Sequence, residues 1–338
     1  MKKKLKIALK WVIVYPLVLL LCFEIALRIL GYSHFHNNDY SIKSTPNNAY
    51  IGHKNLGIQL NPGRYSISIN KKVNFVANHE EGNHRLVPGN ANPDSADVLF
   101  LGCSFTYGYG VYDDQNFPAL IQEQFPENNI QNSGVIGYGT VQSLMQLKQE
   151  LKKGNLKAVL LNFSSFHFIR NGLSQQYRSN LKIGYERSSS NVKNEMKTAR
   201  FPYKLKCDSE IQFERWDDMY SNAFGRSWLA SINWIQSAYD NYADIDNDGI
   251  EVTVCLMKEM HELCKKQGVE FGVVFLDSTK ETNTVQSRIK DIPSLKINFN
   301  FKSEKLTSLP YDSHPNKFGH ALIAGKINPF LKDLLNEK

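Results

Sequence analysis

An almost unbroken apolar run near the start of the chain restricts the fold more than any other feature. Residues 11–30, WVIVYPLVLLLCFEIALRIL, follow a cluster of lysines. Twenty helical residues span about 30 Å, the thickness of one bilayer hydrocarbon core. Lysines stay on the cytoplasmic side of such a segment. The pattern predicts a basic cytoplasmic tip and transmembrane anchor over residues 1–31, with the rest of the chain outside the cytoplasmic membrane.

A cleaved signal peptide is the alternative interpretation of this run. The apolar region of a signal peptide would be shorter, and no small-x-small cleavage site follows. We therefore favour an uncleaved anchor. Glu24 and Arg28 form an i,i+4 pair near its outer end, where water or lipid headgroups can reach them.

The charge and the cysteines exclude several other classes. The chain has a net charge of +7, but its first 30 residues contain six basic side chains and one acidic side chain, which leaves only +2 for the remainder. This is not the basic face that nucleic-acid binding needs, so no nucleic-acid partner is predicted. The five cysteines show no zinc-binding spacing, and neither a metal nor a cofactor is predicted. Cys255 and Cys264 are too far apart on one predicted helix to bridge each other, whereas a disulfide involving Cys207 remains open.

The remainder of the chain divides into a polar part and an alternating part. Residues 32–95 are turn-rich, and we interpret them as a stalk with a small strand-bearing segment. Residues 96–338 alternate between apolar runs and helical patterns, which predicts an α/β fold with a parallel sheet covered by helices. The predicted strands are 97–101, 128–131, 158–163, 270–277 and 295–301, and the predicted helices are 115–124, 141–153, 251–268 and 316–336.

An aromatic-rich insertion interrupts this alternation at about residues 170–235. It is too apolar to be a disordered linker. A lid or specificity subdomain over the site and a simple helical hairpin are equally compatible with its composition.

A serine follows the first predicted strand of the sheet, in LGCSFTYGYG at residues 101–110. Ligands bind at the carboxyl ends of such strands, so Ser104 lies where a site is expected. A serine nucleophile needs a base, and the base needs an orienting group. Asp312 and His314, in LPYDSHPNKFGH, can supply both. If this pair served only to begin the last helix, Ser104 would have no partner.

Acyl transfer also needs hydrogen-bond donors for the oxyanion that develops. The backbone amide of Ser104 lies at a strand-to-helix turn and is one candidate. Gly137, in NSGVIGYGT at residues 132–140, can bring a second amide close because glycine has no side chain.

These blocks resemble those of the SGNH, or GDSL-like, hydrolases, and in particular their bacterial membrane-anchored branch. GCSFT at 102–106 matches the first block, NSGVIGYGT matches the second, and DSHPN at 312–316 matches the last. The resemblance covers roughly residues 97–338 and implies a three-layer, flavodoxin-like α/β/α sandwich that hydrolyses or transfers acyl groups at oxygen esters. It implies that Ser104 is the nucleophile, His314 the base, Asp312 its orienting partner and Gly137 an oxyanion donor.

Two positions depart from the family pattern. Cys103 replaces the usual aspartate of the first block. It could be an alternative nucleophile, but its side chain points to the opposite side of an extended segment, so a buried, inert thiol is favoured. In the third block, Phe166 and His167 occupy the places of an Asn-Asp pair. The side-chain oxyanion donor is therefore missing, although His167 could donate instead or Asn171 could fold back.

Together these features predict a membrane-anchored serine esterase or O-acyltransferase that works by a Ser-His-Asp mechanism. The predicted substrate is an acylated carbohydrate or another ester, such as an envelope or secreted glycan. The alternative is a catalytically degenerate module that binds a glycan or an envelope partner without turnover.

Overall fold

The computed structural model describes residues 10–36, 41–90, 97–186, 190–245 and 248–335. These residues contain thirteen strands and eleven α-helices. The lysines of the predicted basic tip before Lys10 lie outside these residues. The chain divides into two compact units. One, here called the anchor unit, comprises Met1–Asp39 and Tyr220–Asp246, and the other, the sheet unit, comprises Tyr40–Met219 and Asn247–Lys338.

All the strands lie in the sheet unit. They are β1 Ile42–Thr45, β2 Tyr50–His53, β3 Gly57–Leu60, β4 Gly63–Ile69, β5 Val73–Glu80, β6 His84–Arg85, β7 Val98–Gly102, β8 Ile130–Gly134, β9 Ala158–Phe163, β10 Arg200–Tyr203, β11 Gln212–Arg215, β12 Glu270–Phe275 and β13 Ser294–Lys296. Nine of them form one sheet in the order β1-β4-β5-β6-β8-β7-β9-β12-β13. The strands β2 and β3 form a separate hairpin, as do β10 and β11.

Ten of the helices connect or follow these strands, and one precedes them. They are α1 Tyr15–Ile29, α2 Ser104–Tyr107, α3 Phe117–Gln122, α4 Thr140–Glu150, α5 Phe166–Asn171, α6 Gln175–Glu186, α7 Ser190–Met196, α8 Ala230–Ala243, α9 Gly249–Lys265, α10 Lys280–Arg288 and α11 Lys317–Leu334.

Five neighbouring strands of this sheet, β8, β7, β9, β12 and β13, run parallel, as the alternating pattern predicts. Their order is 2-1-3-4-5 when they are counted along the chain, which is the flavodoxin-like order of doubly wound sheets. The strands β7, β9 and β12 are buried on both faces almost throughout, which explains why each appears in the sequence as a continuous apolar run. The strand β8 is also buried but carries polar residues, and β13 at the sheet edge is half-buried. The prediction of a mixed α/β fold with a large central sheet is confirmed.

Helices cover both faces of this parallel part. In β7, Leu99 and Leu101 pack in a cluster with α4, α9 and α10. The alternate residues Val98 and Phe100 pack in a second cluster with α3 and α11. Successive side chains of a strand point to opposite faces, so one short run of sequence builds both cores.

The other four strands of the sheet come from the segment that we predict to be a stalk. β6 pairs antiparallel with β8, and β5, β4 and β1 continue the sheet outward from it. The strands on the two sides of the boundary predicted at residue 95 therefore belong to one sheet. The predicted insertion at about residues 170–235 is also divided, because its residues up to Met219 belong to the sheet unit and those from Tyr220 belong to the anchor unit.

The last predicted strand, 295–301, is shorter in the structure than in the prediction. β13 ends at Lys296, and Asn298 has a φ of 55°. A positive φ turns the backbone out of the pleated conformation. The apolar residues that follow, Ile297 and Phe299, still pack in the core beside β12, which is why they resemble a strand in the sequence.

The anchor unit begins with the apolar helix that the sequence predicts. A π-helical turn, Lys10–Val14, leads into α1. Together they form a helix, Lys10–Ile29, that is long and apolar enough to cross a membrane. Residues 220–245, which include α8, complete the described part of this unit.

Candidate active site

Ser104 lies at the carboxyl end of β7, between β8 and β9 in the sheet, where it begins the short helix α2. Gly102 makes this tight strand-to-helix turn possible. A Cβ at Gly102 would lie 2.2 Å from Thr106 Oγ1 and 2.9 Å from the carbonyl oxygen of Asn162. Only a glycine fits there, and the hydroxyl of Ser104 is thereby held at the edge of the sheet.

His314 and Asp312 come from the loop before α11 and meet Ser104 at this edge. His314 Nε2 lies 2.9 Å from Ser104 Oγ, and His314 Nδ1 lies 2.6 Å from Asp312 Oδ1. The carboxylate also accepts the backbone N–H of His314, at 2.8 Å. Asp312 thus favours the tautomer that carries its proton on Nδ1, which leaves Nε2 free to accept the serine proton.

The surroundings fix the imidazole ring without enclosing it. Phe105 and Tyr109 contact it edge to face, with ring centroids at 5.1 Å and 4.9 Å. Ser104 and Asp312 are buried, with 7% and 6% of their surface exposed, whereas His314 is half-buried. A reactant can therefore approach the histidine while the carboxylate stays shielded from water, which strengthens their interaction.

The turn after β8 carries the second predicted oxyanion donor. Gly134 lies beside Gly102 in the sheet, and the N–H of Val135 donates to the Gly102 carbonyl. Gly137 follows with a φ of 76°, and its carbonyl accepts a hydrogen bond from the Tyr177 hydroxyl. Among the described residues, the backbone N–H groups of Ser104 and Gly137 have no acceptor. Both remain available to a negative oxygen.

Hydrogen bonds hold this turn rigidly in place. The Tyr138 hydroxyl donates to the Ile58 carbonyl at 2.6 Å and accepts from Asn83 at 3.0 Å. The Arg170 guanidinium donates to the Tyr138 carbonyl at 3.0 Å. A donor that is fixed before the reaction costs no reorganisation when charge develops.

Asn171 is engaged elsewhere. Its side-chain oxygen accepts the backbone N–H groups of Thr140 and Val141, at 2.6 Å and 3.3 Å, at the start of α4. Its amide group donates to Thr253 Oγ1 at 2.9 Å. Asn171 therefore caps a helix, and the structure does not bring it to Ser104 or His314.

His167 is fully buried in α5. Its Nδ1 lies 3.2 Å from Thr140 Oγ1, and its ring packs edge to face on Phe163. Burial lowers the pKa of His167 well below its ordinary value, so the ring is neutral. No contact among the described residues joins it to Ser104 or His314.

The loop after β9 has a different organiser, Asp277, which the sequence reasoning missed. Its Oδ2 accepts the backbone N–H of Ser165 at 2.8 Å, the Ser165 hydroxyl at 2.6 Å and the Ser164 hydroxyl at 3.3 Å. Phe166 follows, with its ring 5.9 Å from that of Phe105. The position of Asp277 at the carboxyl end of the predicted strand 270–277 was the signal that could have identified it.

A buried arginine, which was also missed, supports the segment after Ser104. Arg85 of β6 is fully buried and donates to Asp113 Oδ1 at 2.7 Å. It also donates to the carbonyl oxygens of Tyr107, Gly108 and Val111, at 2.6–2.8 Å. One side chain thereby ties α2 and the loop after it to the antiparallel strands.

The cysteines divide between the core and one disulfide. Cys103 is fully buried in the apolar cluster under α3 and α11, with a free thiol. Cys207, whose pairing was left open, is bonded to Cys255 of α9. With Glu251 these two sulfurs form the one group among the described residues that is close enough to hold a metal ion, but the disulfide occupies them.

No family model matches the chain, and no curated protein matches its sequence. Solved structures that resemble it include a lipolytic protein of the G-D-S-L family from Desulfitobacterium hafniense DCB-2, at 14% identity, with 69% of this chain and 98% of that chain covered and a TM-score of 0.37. The esterase EstA from a Pseudoalteromonas species matches at 13% identity over 71% and 98%, with a TM-score of 0.37. A two-domain esterase active on acetylated mannans matches at 14% identity over 72% and 50%, with a TM-score of 0.38. All three TM-scores lie below 0.5, so these likenesses carry no argument about function.

Proposed function

We propose that this protein is a membrane-anchored serine ester hydrolase or O-acyltransferase of the SGNH type. The single observation that carries the proposal is the chain of contacts from Ser104 Oγ to His314 Nε2 and from His314 Nδ1 to Asp312. A serine, a histidine and a carboxylate in this order form the arrangement that activates a hydroxyl for attack on a carbonyl.

In the proposed reaction Ser104 Oγ attacks the ester carbonyl carbon while His314 Nε2 accepts the hydroxyl proton. The resulting imidazolium is stabilised by Asp312. The tetrahedral intermediate collapses as its C–O bond to the alcohol breaks, and His314 returns the proton to the leaving oxygen. Water or a sugar hydroxyl then attacks the acyl-Ser104 ester with His314 again as base, which releases the acid or a new ester and restores the serine.

Two backbone N–H groups, those of Ser104 and Gly137, are the proposed oxyanion donors. A side-chain donor is missing, because Phe166 occupies its place in the third block and Asn171 caps α4. The loss of one such donor lowers turnover by about 10²–10³. We therefore propose a slow enzyme whose specificity comes from its location and substrate binding.

Two features support a location outside the cytoplasmic membrane. The helix Lys10–Ile29 is a candidate span preceded by lysines, which favours a cytoplasmic N-terminus. The Cys207–Cys255 disulfide belongs to the opposite side, because disulfides persist in oxidising compartments. Acyl esters of envelope or secreted glycans are the substrates we propose there, and the mechanism requires neither a metal nor a cofactor.

Labelling with a fluorophosphonate probe tests the proposal directly. We expect the purified full-length protein to be labelled, the Cys103→Ala variant to be labelled equally, and the Ser104→Ala variant to stay unlabelled. Labelling that survives in Ser104→Ala, or that disappears in Cys103→Ala, would overturn Ser104 as the nucleophile.

The missing side-chain donor favours one second candidate function. A degenerate module would keep the fold and bind a glycan or an envelope partner without turnover. Folded protein that resists labelling and does not hydrolyse p-nitrophenyl acetate, yet binds an acylated glycan, would support this function over catalysis.

A further inference from the structure

The helix α8 in the anchor unit has its apolar face turned outward. Ile235, Tyr239 and Tyr242 follow one another at intervals of four and three residues, with Ala238 next to Tyr239. All four are exposed, Tyr239 by 65% and Tyr242 by 72%. This spacing places them on one face of the helix. A helix on the surface of a water-soluble protein normally presents its polar side there.

Three polar side chains of α8 make hydrogen bonds within the anchor unit instead. Asn233 Oδ1 accepts from Arg226 Nε at 2.9 Å, and Asp240 Oδ2 accepts from the Tyr220 hydroxyl at 2.7 Å. Gln236 donates to the Ser221 carbonyl at 3.0 Å. The usual distribution is therefore inverted, with hydrogen bonds inside and aromatic rings outside.

The turn before α8 continues this outward apolar surface. Phe224, Trp228 and Leu229 are exposed, and the rings of Phe224 and Trp228 contact each other at 5.5 Å. From Phe224 to Ile245 the chain contains only three charged residues, and two of them, Arg226 and Asp240, face each other at 3.8 Å.

Direct hydrogen bonds attach α8 to the outer end of the candidate membrane span. The Glu24 carboxylate accepts the backbone N–H groups of Ala230 and Ser231, at 2.9 Å and 2.8 Å, and so caps the first turn of α8. Arg28 donates to the Trp228 carbonyl at 2.9 Å. Glu24 lies five residues before Ile29, or about 8 Å along the helix axis. If α1 spans the bilayer, this attachment fixes α8 at the depth of the lipid headgroups.

We propose that α8 and the turn before it form an interfacial element that lies in the outer leaflet of the membrane crossed by α1. The occupant of the apolar face is lipid, at the boundary between headgroups and acyl chains. Tryptophan and tyrosine are enriched at this depth because an apolar ring and a polar edge are both satisfied there. The proposal does not depend on the catalytic role of Ser104.

Depth-dependent quenching of tryptophan fluorescence tests the proposal. The full-length chain is placed in lipid nanodiscs after Trp11→Phe and Trp216→Phe, so that Trp228 of the turn and Trp234 of α8, which is 42% exposed, remain. The control carries Trp11→Phe, Trp228→Phe and Trp234→Phe, which leaves Trp216, 6% exposed in the sheet unit. Lipids brominated near the headgroup should lower the emission of the test protein about twofold, those brominated at the chain end should lower it less, and the control should stay unquenched by either.

A second variant separates lipid contact from mere proximity. Ile235→Ser, Tyr239→Ser and Tyr242→Ser together remove the apolar face but leave every hydrogen bond described above. We expect this variant to lose most of the shallow quenching while the protein stays in the membrane through α1. Emission that is quenched no more than that of Trp216, or nanodiscs in which α8 is covered by a second copy of the chain, would overturn the proposal.

Discussion

The imidazole of His314 lies 2.9 Å from the hydroxyl of Ser104, although 210 residues separate the two along the chain. Every strand of the parallel sheet except β7 lies between them in sequence. The contact therefore depends on the correct folding of the whole sheet unit, and its chemistry can be tested one partner at a time.

Asp312→Asn should separate the orientation of His314 from its presence. An amide that donates toward Nδ1 stabilises the opposite tautomer and leaves Nε2 unable to accept the serine proton. We expect kcat for a p-nitrophenyl ester to fall by about 10²–10⁴ with an unchanged melting temperature. Asp291→Asn, an exposed carboxylate, is the matched control. Unchanged turnover in Asp312→Asn would show that the carboxylate has no role in the reaction.

Gly137→Ala should damage both the turn and the proposed oxyanion donor. Gly137 has a φ of 76°, and an added Cβ would lie 2.8 Å from the Tyr177 hydroxyl oxygen. A positive φ costs a residue with a side chain about 1–2 kcal/mol. We expect a lower melting temperature and a reduced kcat. Gly184→Ala, which meets nothing within 4 Å in α6, should leave kcat unchanged and should not lower the melting temperature, because alanine favours a helix more than glycine does. A variant with the turnover and melting temperature of the unmodified protein would show that this turn does not need a glycine.

Arg85→Met should destabilise the sheet unit strongly. It leaves Asp113 buried without its partner, together with three carbonyl oxygens that lose a donor. Breaking a buried ion pair in this way costs about 3–5 kcal/mol. Thermal unfolding measures the loss, with Arg64→Met on the exposed face of β4 as control. Equal melting temperatures for the two variants would contradict the role we assign to Arg85.

Acid should destabilise the folded protein through its buried histidines. Burial lowers the pKa of His79, His84 and His320 to about 3. Their stabilising effect is fully present above the ordinary histidine pKa of about 6.5, and it is lost as the pH falls toward 3, because the unfolded chain then binds more protons. Each should contribute on the order of 1 kcal/mol per pH unit in this window.

Thermal unfolding between pH 7 and pH 5 measures this loss. His320→Asn keeps an acceptor for the N–H of Phe117, which His320 Nδ1 now accepts at 3.3 Å, but it cannot titrate. We expect the melting temperature of this variant to depend less steeply on pH than that of the unmodified protein. Identical slopes would show that His320 binds its proton as readily in the folded state as in the unfolded chain, and would contradict this prediction.

Reduction of the Cys207–Cys255 disulfide should lower stability. It closes a segment with a sequence separation of 48 residues, for which chain entropy gives about 4 kcal/mol. Cys207→Ser with Cys255→Ser should show the same loss without reductant. Thiol trapping in intact cells adds a test of location, because both cysteines should resist alkylation if the sheet unit lies outside the cytoplasmic membrane. Rapid alkylation of Cys207 would place the unit in a reducing compartment.

The sequence predicts the elements that have a clear hydrophobic pattern and the sites that combine distinctive residue types. The strand 158–163 has the same bounds in the prediction and in the structure, because a continuous apolar run covered on two faces is an unambiguous pattern. The proximity of Ser104 to Asp312 and His314 follows from the rule that sites lie at the carboxyl ends of parallel strands. Local pattern and topology were sufficient for these features.

Other features depend on distant partners that no local pattern specifies. The strand β4 alternates clearly, but nothing in its own residues shows that it joins the main sheet. Asn171 resembles a free polar side chain until the start of α4 is placed beside it. The choice of Cys255 as the partner of Cys207 likewise depends on where the loop between β10 and β11 lies relative to α9, which spacing alone does not determine.

The position of Arg85 has a practical consequence for preparing a water-soluble form of the protein. A truncation at the boundary predicted from the sequence, residue 96, would delete four strands of the main sheet and the side chain that holds the loop after Ser104. It would also leave β8 as a bare edge, ready to pair with a neighbouring molecule. Removing the membrane helix should therefore stop before Ile42, so that recombinant material keeps its full sheet without a bare edge at β8.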